Sequence, residues 1–209
     1  MTYNVFGGTL NPTLLPPLRH IHSSLDDDMA VSVASAIVSS RLDYVNSILL
    51  GCPQKHIAHL QRAQNALARA AVQPQSRALP LFSSSHLLKQ LHWLPVDTRI
   101  RFKLSTLTFK ALHTGRPKYH TDLLHLHKPT RSMRSPYTQL LARHNLSFGS
   151  CAFRIFAPKN WNTLPLEVRQ SHSLSTFRNC LKTLCFRSAY PSSYLSPMRP
   201  DSPQDFGAI

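Results

Sequence analysis

A chain of 209 residues with 42% hydrophobic side chains can bury the core of one ordinary domain or two small ones, which excludes disorder throughout. Sixteen prolines against six glycines favour helices separated by proline-marked breaks and argue against a glycine-rich catalytic loop. The formal charge of +15 is concentrated: residues 44–200 hold 22 Lys/Arg against Asp97, Asp122 and Glu167, so nucleic acid is the first partner class and an anionic membrane surface the second.

Residues 1–17, with Gly7, Gly8, Pro12, Pro16 and Pro17 and little charge, read as an irregular leader. Asp26, Asp27 and Asp28 then precede a pattern in which Met29, Val33, Ala36, Ile37, Ser40 and Tyr44 recur at helical spacing, stopped by Gly51 and Pro53. Successive side chains on a helix point about 100° apart, so the three aspartates suit the positive end of the helix dipole better than a single metal ion. From Gln54 to Val72 the periodicity is clean, with Ile57, Leu60, Leu67, Ala68 and Ala71 in one stripe. Gln64 lies inside that stripe and needs a hydrogen-bond partner there, because a buried unpaired amide is costly. Lys55, His59, Arg62 and Arg69 project from the opposite side, a face for phosphates or simply for water.

Residues 73–85 form a connection bearing proline and serine, followed by a short helix around His86 to His92 and a break at Trp93-Leu94-Pro95. The next helix, roughly Asp97 to His113, sets Arg99, Lys103 and Lys110 on one strip beside the apolar Ile100, Leu104, Leu107 and Ala111. Phe102 and Phe109 flank the basic strip on its other side. Cations bordered by rings are what a single-strand binder uses, although two phenylalanines seven apart are more often core. Gly115 and Pro117 end the helix, a short one follows around Tyr119 to Leu126, and the loop HKPTRSMRSPY offers Arg131 and Arg134 as phosphate contacts or as ordinary surface. Leu140 to Ala157 carry either one or two short strands or a helical turn. From Ser173, a serine cap, Leu174, Phe177, Leu181 and Leu184 mark a last amphipathic helix, and residues 191–209, rich in Pro and Ser, form a disordered tail.

No catalytic constellation emerges from these residues. His120, His125 and His127, and Cys180 with Cys185, lack the spacings of zinc sites, so neither a metal nor another cofactor is expected. Two-metal phosphoryl transfer needs converging acids, whereas four of the nine carboxylates lie within the first 43 residues and the basic body holds isolated ones. No P-loop and no GxGxxG occurs. The four cysteines are too few and irregular for a secreted disulfide framework, no run of about 18 apolar residues spans a bilayer, and the first residues lack a signal-peptide pattern. An intracellular protein with no membrane partner and no small-molecule substrate is the expectation, nucleus or cytoplasm being left open.

Five stretches carry a resemblance: SRLDYVNSILLG, IAHLQRAQNALAR, LLKQLHWLPVDTRIRFKLSTLTFKALH, PTRSMRS, and FGSCAFRIFAPKNWNTLPLEVRQSHSLSTFRNCLKT. In this order and spacing the chain, from about Leu18 to Tyr190, resembles the C-terminal portion of the reverse-transcriptase polyprotein of LINE-type (non-LTR) retrotransposons, of the chicken-repeat-1/Rex kind. The resemblance implies a position downstream of the polymerase palm, with residues 18–73 a thumb-like helical segment and 74–190 a basic helical region. It carries over no catalytic residue, because the Tyr/Phe-x-Asp-Asp motif, its partner aspartate and the endonuclease do not occur in this sequence. Val45 stands where a cysteine or alanine is common, no terminal zinc knuckle follows, and residues 1–17 have no counterpart.

The sequence therefore predicts a mainly α chain that is no enzyme, a truncated and catalytically inactive fragment of such a polyprotein. It would bind RNA or DNA non-specifically through Lys55, Arg62, Arg69, Arg99, Lys103, Lys110, Arg131 and Arg134. Two alternatives stand beside it: a transposon-derived reading frame without function, and a host-adopted module that binds a protein.

Overall fold

The computed structural model of the chain describes residues 26–44, 46–72, 82–127, 139–143 and 153–191. Among these the chain is mainly helical, as expected. The helices are α1 (Asp27–Ile37), α2 (Gln54–Val72), α3 (Ser84–Gln90), α4 (Val96–Thr114), α5 (Lys118–Thr121), α6 (Phe153–Trp161), α7 (Leu166–Arg169) and α8 (Leu174–Ala189). A π-helical segment, Val38–Leu42, prolongs α1, and a 3-10 turn, Asn46–Leu49, leads towards α2. The leader (1–17), the loop with Arg131 and Arg134, and the tail beyond residue 191 lie outside the described residues.

The first helical pattern has the other phase from the one its large side chains suggest. Ala30, Ala34, Val38 and Leu42, spaced four apart, are buried, whereas Met29 and Val33 are exposed and Tyr44 is 81% exposed. A segment apolar nearly all round, MAVSVASAIV, has no dominant stripe. Small side chains on the inner face let α1 approach α2, with which it packs. Helix α2 keeps the expected bounds and buries the expected stripe, Ile57, Leu60, Gln64, Leu67, Ala68 and Ala71.

Helix α4 is central. It packs against α2, the 3-10 turn, α5, α6 and α8, and so buries residues on several sides: Ile100, Leu104, Ser105, Thr108, Phe109 and Ala111. Thr108 satisfies its hydroxyl by donating to Leu104 O at 2.9 Å, and Ser105 Oγ accepts from Asn160 Nδ2 at 2.7 Å. Gly115, in the left-handed conformation at φ 64°, closes the helix by donating its N–H to Ala111 O. Ser173 caps α8, its hydroxyl accepting from Thr176 N, and the inner face of α8 buries Phe177 and Leu181. One contiguous core joins these elements, from Ala34 and Val38 through Leu87, Ile100 and Phe109 to Trp161, Phe177 and Leu181.

Of the two options for Leu140 to Ala157, the described residues show no strand and, from Phe153, a helix. Leu141 forms a single antiparallel bridge to Leu126, not a strand. On its other edge Asn162 imitates a strand, its Oδ1 accepting from Leu141 N and its Nδ2 donating to Leu141 O at 2.8–2.9 Å. From Phe153 onward the chain is helical, and Phe153, Phe156, Ala157 and Trp161 have the i, i+3, i+4, i+8 spacing that fits one helix face.

Candidate nucleic-acid interface

Helix α3 ends in a hydrogen-bonded reversal. His92 adopts φ 53° and donates its N–H to Lys89 O, while Trp93 N donates to Leu88 O at 2.8 Å, the paired pattern of a Schellman motif. The buried Trp93 and Leu88 supply the hydrophobic contact that accompanies it. The chain then runs extended to α4, and side chains from α2, from α4 and from Tyr190, the residue that follows α8, hold its backbone and the first amide of α4. Gln64 Nε2 donates to Leu94 O at 3.0 Å, Gln61 Oε1 accepts from Val96 N at 2.9 Å, Arg99 Nε donates to Leu94 O at 2.8 Å, and Tyr190 OH donates to Trp93 O at 2.7 Å. Gln64 thus has the partner its place in the apolar stripe demanded. Burial pushes the Tyr190 hydroxyl up to about 12, with Arg99 pulling the other way.

Around this segment opens a cleft of about 520 Å³. Its walls are the end of α1 and the π-helical segment (Ser35, Val38, Ser39), the following bend (Asp43, Asn46), the turn after α3, and the facing sides of α4 and α8. Arg99 and Lys103, one turn apart on α4, and Arg178 and Lys182, one turn apart on α8, all line it. Asp43 is its sole carboxylate among the described residues, and that carboxylate is already engaged. Oδ2 accepts from Arg99 Nη1 at 2.7 Å and Oδ1 from Asn46 Nδ2 at 3.3 Å. Lys103, Arg178 and Lys182 have no ion-pair partner among the described residues. Like charges four apart on a helix repel by a few tenths of a kcal/mol, about 0.2–0.5 per pair, so the Arg178/Lys182 pair, with Lys103 opening on the same cleft, favours an anion there.

The basic residues marked by the sequence divide into groups. Arg99 and Lys103 meet in the cleft, but Arg99 is only 15% exposed and committed to Asp43 and Leu94, so it shapes the site more than it offers free charge. Lys110 lies exposed further along α4. Lys55 and Arg62 are exposed on the outer side of α2, and Arg69 there donates to Ser84 Oγ. None of these four lines the cleft. Of the two readings of the rings beside the basic strip, the core one holds for Phe109, whereas Phe102 lines the cleft with Arg99 and Lys103. Phe109 is 2% exposed and stacks on Phe177 at 4.2 Å between ring centroids, with Trp161 behind it, while Phe102 is half-buried against the same core.

Arg178 and Lys182 are the functional candidates that the sequence reading passed over. Their i, i+4 spacing, on a strip of α8 about 100° round from Phe177 and Leu181, was the available signal. Among the described residues no helix is long and apolar enough to cross a membrane, and no group of three His, Cys, Asp or Glu could hold a metal ion. Comparison with models of known families, with curated proteins and with solved structures finds no match for this chain.

Proposed function

We propose that the chain is a catalytically inactive, sequence-tolerant binder of single-stranded RNA or DNA, corresponding to the post-palm portion of a LINE-type retrotransposon polyprotein. The observation that carries the binding reading is the cleft between α4 and α8, where Lys103, Arg178 and Lys182 stand free beside a carboxylate, the sole one among the described lining residues, that Arg99 already neutralises. The exposed Lys55, Arg62 and Lys110 extend positive charge over the outer surface, where a flexible strand can follow it without base-specific contacts. The family part of the reading rests on the five ordered sequence stretches.

The test is a fluorescence-anisotropy titration of the full chain with a labelled single-stranded RNA at several salt concentrations. The logarithm of the association constant should fall linearly with the logarithm of salt concentration, by about 0.7 for each phosphate neutralised, and change little with base sequence. Absence of binding even at low ionic strength sinks the proposal. Nucleotide incorporation on a primed template would overturn its inactive part.

A further inference from the structure

We infer that the cleft between α4 and α8 is a discrete site for a phosphomonoester dianion, carried by a strand's terminal phosphate or by a free nucleotide. The inference rests on the binding reading above but makes a stronger claim, since backbone affinity needs only diesters with one charge each.

Three features of the cleft support a compact, doubly charged ligand. Its volume, about 520 Å³, lies within the range of about 300–1,000 Å³ usual for small-molecule sites, so it suits a nucleotide-sized ligand better than a long groove would. Its uncompensated charge comes from three side chains, Lys103, Arg178 and Lys182, contributed by two packed helices. A single diester leaves most of that charge unmet, whereas a dianion answers it and allows Arg178 a bidentate contact. Asp43 does not oppose it, because Arg99 and Asn46 occupy both of its oxygens.

A separate observation falls on the same wall. Asn46 is 3% exposed, its amide nitrogen is spent on Asp43, and its Oδ1 has no hydrogen-bond partner among the described residues. Buried orphan acceptors are rare in a finished interior, and this one belongs to a residue of the cleft wall. Ser35, Ser39 and Asn179 add neutral polar groups to the lining.

The experiment compares the full chain's affinity for the same single-stranded RNA bearing a 5′-phosphate, a 3′-phosphate or only hydroxyl ends, with adenosine 5′-monophosphate as a separate titrant. At least one phosphorylated end should bind on the order of tenfold tighter than the hydroxyl strand, the size expected of one added charge-assisted contact. Saturable binding of the mononucleotide alone, with no preference between strands, would assign the dianion to a free nucleotide. The double variant Arg178→Gln/Lys182→Gln, at exposed positions of α8, should abolish the mononucleotide binding and bring all three strands to one, lower affinity, erasing the discrimination. Lys55→Gln/Arg62→Gln should weaken all strands alike and keep the discrimination. Equal affinity for all three strands together with no saturable mononucleotide binding overturns the inference, and leaves the broader proposal standing as long as the strands bind. If no strand binds but the mononucleotide saturates the site, the broader proposal fails and this one survives.

Discussion

Replacing Phe109 by alanine separates two roles for an aromatic ring beside a basic strip. In the core role, removal costs the transfer free energy of a fully buried aromatic side chain, about 1.5–3 kcal/mol. The stacked partner at 4.2 Å, Phe177, adds about 0.5–1.5 kcal/mol beyond area. A void between α4, α6 and α8 raises the total to the range of about 3–5 kcal/mol usual for phenylalanine-to-alanine changes in cores. Against a whole-domain stability of about 5–15 kcal/mol, that is a large fraction, readable as a fall in the urea midpoint with an unchanged slope. Phe102→Ala, at a half-buried position, should cost clearly less. In the stacking role the pattern reverses, with RNA affinity falling and the midpoint unmoved. A loss below about 1 kcal/mol for Phe109→Ala, or a loss no greater than that of Phe102→Ala, would refute the assignment of this ring to the interior.

Three further outcomes follow from the site's surroundings. Asp43→Ala leaves the half-buried Arg99 guanidinium without its carboxylate and should destabilise the fold by about 1–2 kcal/mol while leaving RNA affinity equal or higher; weaker RNA binding in a folded variant would contradict the electrostatics described. The Tyr190 hydroxyl, raised from 10.0 to about 12 mainly by burial, favours the neutral phenol in the folded state, so its contribution is whole below pH 10.0 and is lost as pH rises through about 12. Urea midpoints across that window should fall less steeply for Tyr190→Phe. Burial likewise pushes the Cys185 thiol up to about 11, so iodoacetamide near neutral pH should label the exposed Cys180 well ahead of it, as peptide mapping would show. Equal labelling rates would mean that this face of α8 is open to solvent.

How much of this was legible in the sequence depended on whether the signal was local. The bounds of α2, the demand that Gln64 find a partner, the glycine stop at Gly115 and the serine cap at Ser173 all follow from periodicity, terminal chemistry and the cost of a buried amide. The inner face of α1 did not, because residue size pointed to Met29 and Val33 while close helix packing selected Ala30 and Ala34. The helix at Phe153 carried a readable spacing hidden behind a search for alternation. The candidate site was only half visible. Arg99 and Lys103 stood out on their own helix, but the ion pair to Asp43 spans 56 residues, and the partners on α8 become neighbours only once Phe177 and Phe109 bring the two helices together.

The segment between α3 and α4 has no repeating secondary structure, yet three side-chain hydrogen bonds, from Gln64, Arg99 and Tyr190, fasten its carbonyls, and Gln61 holds the first amide of α4 beside it. Connecting segments ordinarily trade their amide protons for deuterium within brief local openings. Here the Val96 amide cannot exchange until Gln61 lets go, and the Trp93 amide is tied to Leu88 beneath a buried indole. Both should therefore exchange on the timescale of global unfolding, with the stretch that looks most like a linker persisting as long as the central helix it introduces.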